Sequence, residues 1–64
     1  MKMKTCDICK QEDLMIYIDG KTQFGPWANM CLDCFYENGV GLGLGKGQCY
    51  QWDSEKQKYI KIGG

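Results

Sequence analysis

Four cysteines in two matched pairs dominate the chemistry open to this chain. "CDIC" runs from Cys6 to Cys9 and "CLDC" from Cys31 to Cys34, each with two residues between the sulfurs. That spacing lets a tight turn aim both sulfurs at one point. Twenty-one residues, Lys10 to Met30, separate the pairs, a length that suits a hairpin returning the chain to its start. Four sulfurs gathered in this way close a tetrahedron around a metal ion. The expected cofactor is a single structural zinc ion held by Cys6, Cys9, Cys31 and Cys34. A closed four-sulfur site has no open position for water, so it holds structure and activates no nucleophile. The chain has no histidine, no candidate triad and no obvious carboxylate pair, and it reads as a non-enzyme. Asp7, Asp33 and Glu37 read as solvated residues near the site. Asp33 and Glu37 also suit the first turns of a helix.

Other uses of the same cysteines fit less well. Two disulfides would require an oxidising compartment. A thioredoxin-type redox pair needs one such motif opening a helix in a strand-rich α/β domain, not two matched motifs in a tiny chain. Iron in a rubredoxin-like electron-transfer site is the serious competitor. Rubredoxins place glycine after each pair, where this chain has Lys10 and Phe35.

The elements that must position these sulfurs have little to work with. The chain has 64 residues, which is at most one domain. So short a chain buries too little apolar surface to be comfortably stable without a disulfide, metal or partner. Nine glycines add to the entropy lost on folding. The main core candidates are aliphatic and aromatic: Leu14, Ile16, Tyr17, Ile18, Phe24, Trp27 and Phe35, then Tyr36, Tyr50, Trp52, Tyr59, Ile60 and Ile62. No secretory signal or membrane span is visible, and the cytoplasm is the expected compartment. Lysines and acids balance at eight each, with no arginine. Four thiolates around a divalent ion would add roughly two negative charges, which disfavours a general nucleic-acid binder.

The expected fold is a small zinc-stabilised α+β domain, treble-clef-like or zinc-ribbon, with two β-hairpins and one short helix. A knuckle covers 6–9. "LMIYIDGKTQF" reads as a hairpin over 14–24, with Leu14, Ile16 and Ile18 alternating with Met15 and Tyr17. Its expected turn is Asp19-Gly20 and its short return strand Lys21 to Phe24, stopped by Gly25-Pro26. Trp27 is expected to cover the metal site or pack on the hairpin. The second cysteine pair and a short helix fill 31–38, with Gly39 as the stop. A pair that opens a helix favours the treble clef over a ribbon. A Gly-rich loop spans 39–47. The last hairpin covers 48–62, with Tyr50 and Trp52 on one face of its first strand and Cys49 and Gln51 on the other. Cys49 reads as a spare, partly buried thiol. The final Gly63-Gly64 is expected to fray.

"GVGLGLGKGQ" places glycine at every second position from Gly39 to Gly47. A Walker loop needs a preceding strand, Ser or Thr after the lysine, and a following helix. Gly47 follows Lys46 instead, and a dinucleotide fingerprint lacks its strand–turn–helix order. The remaining readings are structural, with Leu42 and Leu44 plugging the core, and partner-binding, with Leu side chains and backbone N–H groups exposed.

"CDIC", "IDGKTQFGPWANMCLDC" and "GVGLGLGKGQCY" together resemble small zinc-finger-like proteins encoded by tailed bacteriophages and prophages. The resemblance covers Cys6 to Tyr50. Related chains often carry proline where this one has Leu32, a change that leaves metal binding intact. The resemblance implies expression in the bacterial host cytoplasm during infection, with no assigned activity.

The function expected from these readings is a zinc-held interaction module binding a host or phage protein. Its partner surface would comprise Trp27, Leu42, Leu44, Lys46, Tyr50 and Trp52. The alternative is a low-specificity nucleic-acid-binding zinc finger, in which Lys2, Lys4, Lys46, Lys56, Lys58 and Lys61 gather on one face and Tyr50, Trp52 and Tyr59 stack on bases.

Overall fold

A computed structural model describes residues 3–64, so Lys2 lies outside the described residues. The elements are β1 (Ile16–Lys21), β2 (Trp27–Met30), α1 (Leu32–Asn38), β3 (Gly47–Asp53) and β4 (Lys58–Gly63). They make a small α+β fold with one short helix. The four strands form a single antiparallel sheet in the order β2-β1-β3-β4. Two separate hairpins were expected. Pairing of β1 with β3, from Ile16↔Gln51 to Gly20↔Gly47, fuses them.

The first hairpin differs from its expectation in register and turn. Asp19 and Gly20 remain inside β1, paired to Asn29 and Ala28 on one side and to Gln48 and Gly47 on the other. Gly20 is there for space. A Cβ on it would lie 3.1 Å from the Lys46 carbonyl oxygen and 3.3 Å from the Gly47 Cα. The turn falls instead at Thr22 to Pro26. The Thr22 hydroxyl donates to the Pro26 carbonyl at 2.7 Å, and the Thr22 N–H reaches the same oxygen at 3.0 Å. The return strand is therefore Trp27–Met30, not Lys21 to Phe24, and Phe24 is exposed on the turn.

The last hairpin is close to its expectation. Its turn is organised by Asp53, whose Oδ1 accepts from the N–H groups of Glu55 and Lys56. Gly63 belongs to β4, opposite Cys49, and does not fray.

Directly opposed residues share a face of a sheet. Ile18, Met30 and Cys49 face one side and are all buried. With Cys6, Leu14, Tyr17, Cys31 and Cys34 they form the core, against which Phe35 packs. On the other side stand Tyr17, Tyr50 and Lys61, beside Trp52 and Tyr59. The helix packs against β1 and β2 and reaches neither β3 nor β4.

The glycine ladder is not one extended edge. Gly39 bridges to Thr22, and Gly43 bridges to Gly47, closing a tight turn that carries Leu44 and Lys46. Leu44 is 96% exposed and Leu42 is 43% exposed. The expectation that both plug the core fails, because the Gly43–Gly47 turn projects Leu44 outward.

Candidate metal centre

The first sulfur pair sits on a loop closed on itself by backbone hydrogen bonds. Cys6 N–H donates to Gln11 C=O at 2.8 Å, Lys10 N–H to Cys6 C=O at 3.0 Å, and Leu14 N–H to Lys4 C=O at 3.0 Å. Lys10 takes φ +68 as the chain leaves the pair, a conformation unusual for a residue with a side chain. The second pair opens α1. Cys31 is the N-cap with extended backbone, and Cys34 lies one turn inside the helix, buried. The loop between the pairs, β1 plus β2, brings them together as the spacing implies.

The Sγ atoms of Cys6, Cys9, Cys31 and Cys34 all lie within 4.8 Å of one another. None of the five cysteines is in a disulfide. The Cys9 and Cys31 sulfurs are 3.8 Å apart. A tetrahedron with metal–sulfur bonds of about 2.3 Å has edges of about 3.8 Å, so the cluster fits a four-thiolate ion. Cys6, Cys31 and Cys34 are buried and Cys9 is exposed.

The sulfurs are electrostatically unequal. Burial pushes Cys6 up, but N–H groups of Cys9, Cys31 and Ile8 outweigh it and bring the thiol down from 9.0 to about 6. Burial holds Cys31 and Cys34 above the ordinary thiol value, Cys34 the more strongly because the Cys31, Cys6 and Cys9 sulfurs crowd it. Cys6 is thus the sulfur that ionises most readily, and Cys31 and Cys34 hold their protons harder. A divalent cation is the species that lets such packed thiols ionise together.

Asp7 is exposed, as its sequence reading has it, and also makes a specific contact. Its N–H donates to Asn29 C=O at 2.8 Å, and its carboxylate accepts from Asn29 N–H at 2.8 Å. The knuckle thereby pairs with the outer edge of β2, two residues before Cys31. Cys49 stays outside the cluster, buried between β3 and the end of β4, with its thiol pushed up by burial.

The other sequence-chosen residues do not share a surface. Trp27, Tyr50 and Trp52 lie on the aromatic side of the sheet by register. Leu42 lies on the opposite side, where its Cδ1 would be 3.5 Å from a Cβ on Gly63, as would the Cys49 Cβ. Leu44 and Lys46 occupy the projecting turn. Trp27 is 48% exposed and sits opposite Lys21, at the end of β2 away from Cys31. The lysines also scatter: Lys58 opposes Asp53 on the core side, whereas Lys61 is on the aromatic side. Sequence reasoning missed Met30 and Thr22, both almost completely buried. Met30 immediately precedes the second pair, and Thr22 starts a segment that ends in Gly-Pro; those positions were the available signals.

The site is a four-cysteine candidate metal centre where the N-terminal loop meets the start of the short helix. No protein-family model matches the chain, and neither a curated protein nor a solved structure does.

Proposed function

We propose that this chain is a zinc-stabilised, non-catalytic interaction module that grips a protein partner through its Gly43–Gly47 turn. One observation carries the reading: Leu44, 96% exposed, stands on a turn closed by backbone hydrogen bonds. Gly43 N–H donates to Gly47 C=O at 2.8 Å, and Lys46 N–H returns to Gly43 C=O at 3.0 Å. Gln48 Nε2 also reaches the Gly43 carbonyl at 3.3 Å. Lys21 N–H donates to Lys46 C=O at 2.8 Å and fastens the turn to β1. A fully exposed leucine on a pre-ordered loop makes an anchor that loses little conformational entropy on binding.

Zinc is the metal of this reading. A closed four-sulfur set in a chain without histidine leaves no place for a catalytic water. The knuckle, hairpin and helix-opening pair support a treble-clef-like arrangement. The resemblance to phage-encoded proteins supports a host or phage protein as partner, in a bacterial cytoplasm. Elemental analysis should find one zinc per chain in a colourless protein; a coloured, iron-loaded protein would support electron transfer instead. The deciding experiment is affinity capture from host lysate with the parent and Leu44→Asp. The parent should retain a defined protein and the variant should lose it while keeping its circular dichroism. Equal retention by both would remove the turn from the interface.

A further inference from the structure

The protein-binding reading leaves unexplained the aromatic side of the sheet. Tyr17 and Tyr50 stack with centroids 5.2 Å apart and an interplanar angle of 18°. Tyr59 meets Tyr17 edge-on at 4.8 Å, and Trp52 meets Tyr59 edge-on at 5.0 Å. Four rings thus run continuously across β1, β3 and β4. The helix does not reach β3 or β4, and Tyr50, Trp52 and Tyr59 stay only half-buried.

Three lysines lie on the side of these rings. Lys4 Nζ lies 5.8 Å from the Tyr17 ring centroid. Lys61 is directly opposite Tyr50, and Lys21 lies further along β1 on the same side. Asp19 is the one acidic strand residue on that face among the described residues. Asp53 faces the other side, opposite Lys58, and Asp33 and Glu37 ride on the helix. Three of the chain's eight lysines, Lys4, Lys21 and Lys61, thus lie on the side of the rings.

We infer that this open face, with Tyr50, Trp52 and Tyr59 as stacking platforms and Lys4, Lys21 and Lys61 as phosphate contacts, binds single-stranded nucleic acid. Bases stack on such rings whatever their identity, and lysines track the backbone. The absence of arginine weakens specific readout of guanine, so the expected binding is of low specificity. Duplex DNA keeps its base faces inside the stack, so it offers the rings nothing. The site is distinct from the Leu44 turn and shares with the protein-binding reading only the folded domain.

The test uses the purified full chain and a fluorescein-labelled oligothymidylate of about 15 nucleotides at about 20 mM salt. Anisotropy should rise, intrinsic tryptophan emission should fall, and binding should drop steeply toward about 200 mM salt. Trp52→Ala should weaken binding about tenfold, the size of one lost stack. Lys61→Gln should weaken it and lower the salt slope by about one. Leu44→Asp should bind as the parent does, so loss of protein capture and loss of oligonucleotide binding are read separately. Because Trp52 packs on Tyr59, its variant is first checked by circular dichroism; if it has lost the fold, Tyr50→Ala and Lys61→Gln decide. The inference is overturned if the parent does not bind at low salt, if it binds duplex as tightly, or if the folded aromatic and lysine variants bind unchanged.

Discussion

At the scale of single residues, Asp7 shows how a ligand loop is kept in place. It meets Asn29 with both its N–H and its carboxylate, and Asn29 lies two residues before Cys31. Asp7→Ala keeps the backbone contact and loses the carboxylate one. The expected cost is about 1 kcal/mol, since the pair is exposed to water, visible as a lower urea midpoint in the metal-loaded protein. The ligands behave differently. Cys31→Ser removes one of four sulfurs and leaves the remaining three unable to close a tetrahedron. Most of the native circular dichroism should disappear, and a variant as stable as the parent would rule Cys31 out as a ligand.

At the scale of elements, joints matter more than the strands themselves. Gly39 ends α1 with φ −78, so it is not a left-handed cap. It is required for room: a Cβ there would sit 2.5 Å from Phe35 Cδ1 and 2.8 Å from the Phe35 carbonyl oxygen. Gly39→Ala must push the helix end away, at an expected cost of about 1–3 kcal/mol in denaturant melts. Tyr59 joins β4 to the N-terminal segment. Its hydroxyl donates to Leu14 C=O at 2.7 Å and accepts from Lys4 N–H at 3.0 Å. Tyr59→Phe keeps the ring packing and strands the Leu14 carbonyl. A loss of about 1–2 kcal/mol is expected, with faster amide exchange at Leu14 and Lys4 as the local readout.

For the whole molecule, the proposed zinc would make metal binding and folding one equilibrium. The apolar core is small, and four of its eight members are cysteines, three of them in the cluster. Chelation should therefore abolish cooperative unfolding, and adding zinc back should restore it. Loading also carries a proton signature. Cys31 and Cys34 are held above the ordinary thiol value, so both give up protons when the ion binds, whereas Cys6 at about 6 is already ionised at neutral pH. Proton release means that acid opposes binding. Zinc affinity should rise with pH between about 6 and 9, by at least about a hundredfold per pH unit for two protons. A competition titration at several pH values measures this slope, and a flat profile would contradict the assigned protonation states.

The sequence by itself determined the four-cysteine group, the helix and the last hairpin. These are local: two residues between sulfurs, a helix stop at Gly39, and alternation through Tyr50 and Trp52 are all readable within a few positions. Tertiary structure alone decided the rest. Asp19-Gly20 has the chemistry of a turn, yet Gly20 stays in a strand because the Lys46–Gly47 backbone passes against it. That neighbour is more than twenty residues away in sequence. The same long-range pairing of β1 with β3 fused two hairpins into one sheet and set Leu42 on the side away from Tyr50 and Trp52. A local pattern fixes which way a side chain alternates. Which strand lies beside it, and so which face stays open, depends on backbone contacts that sequence spacing does not encode.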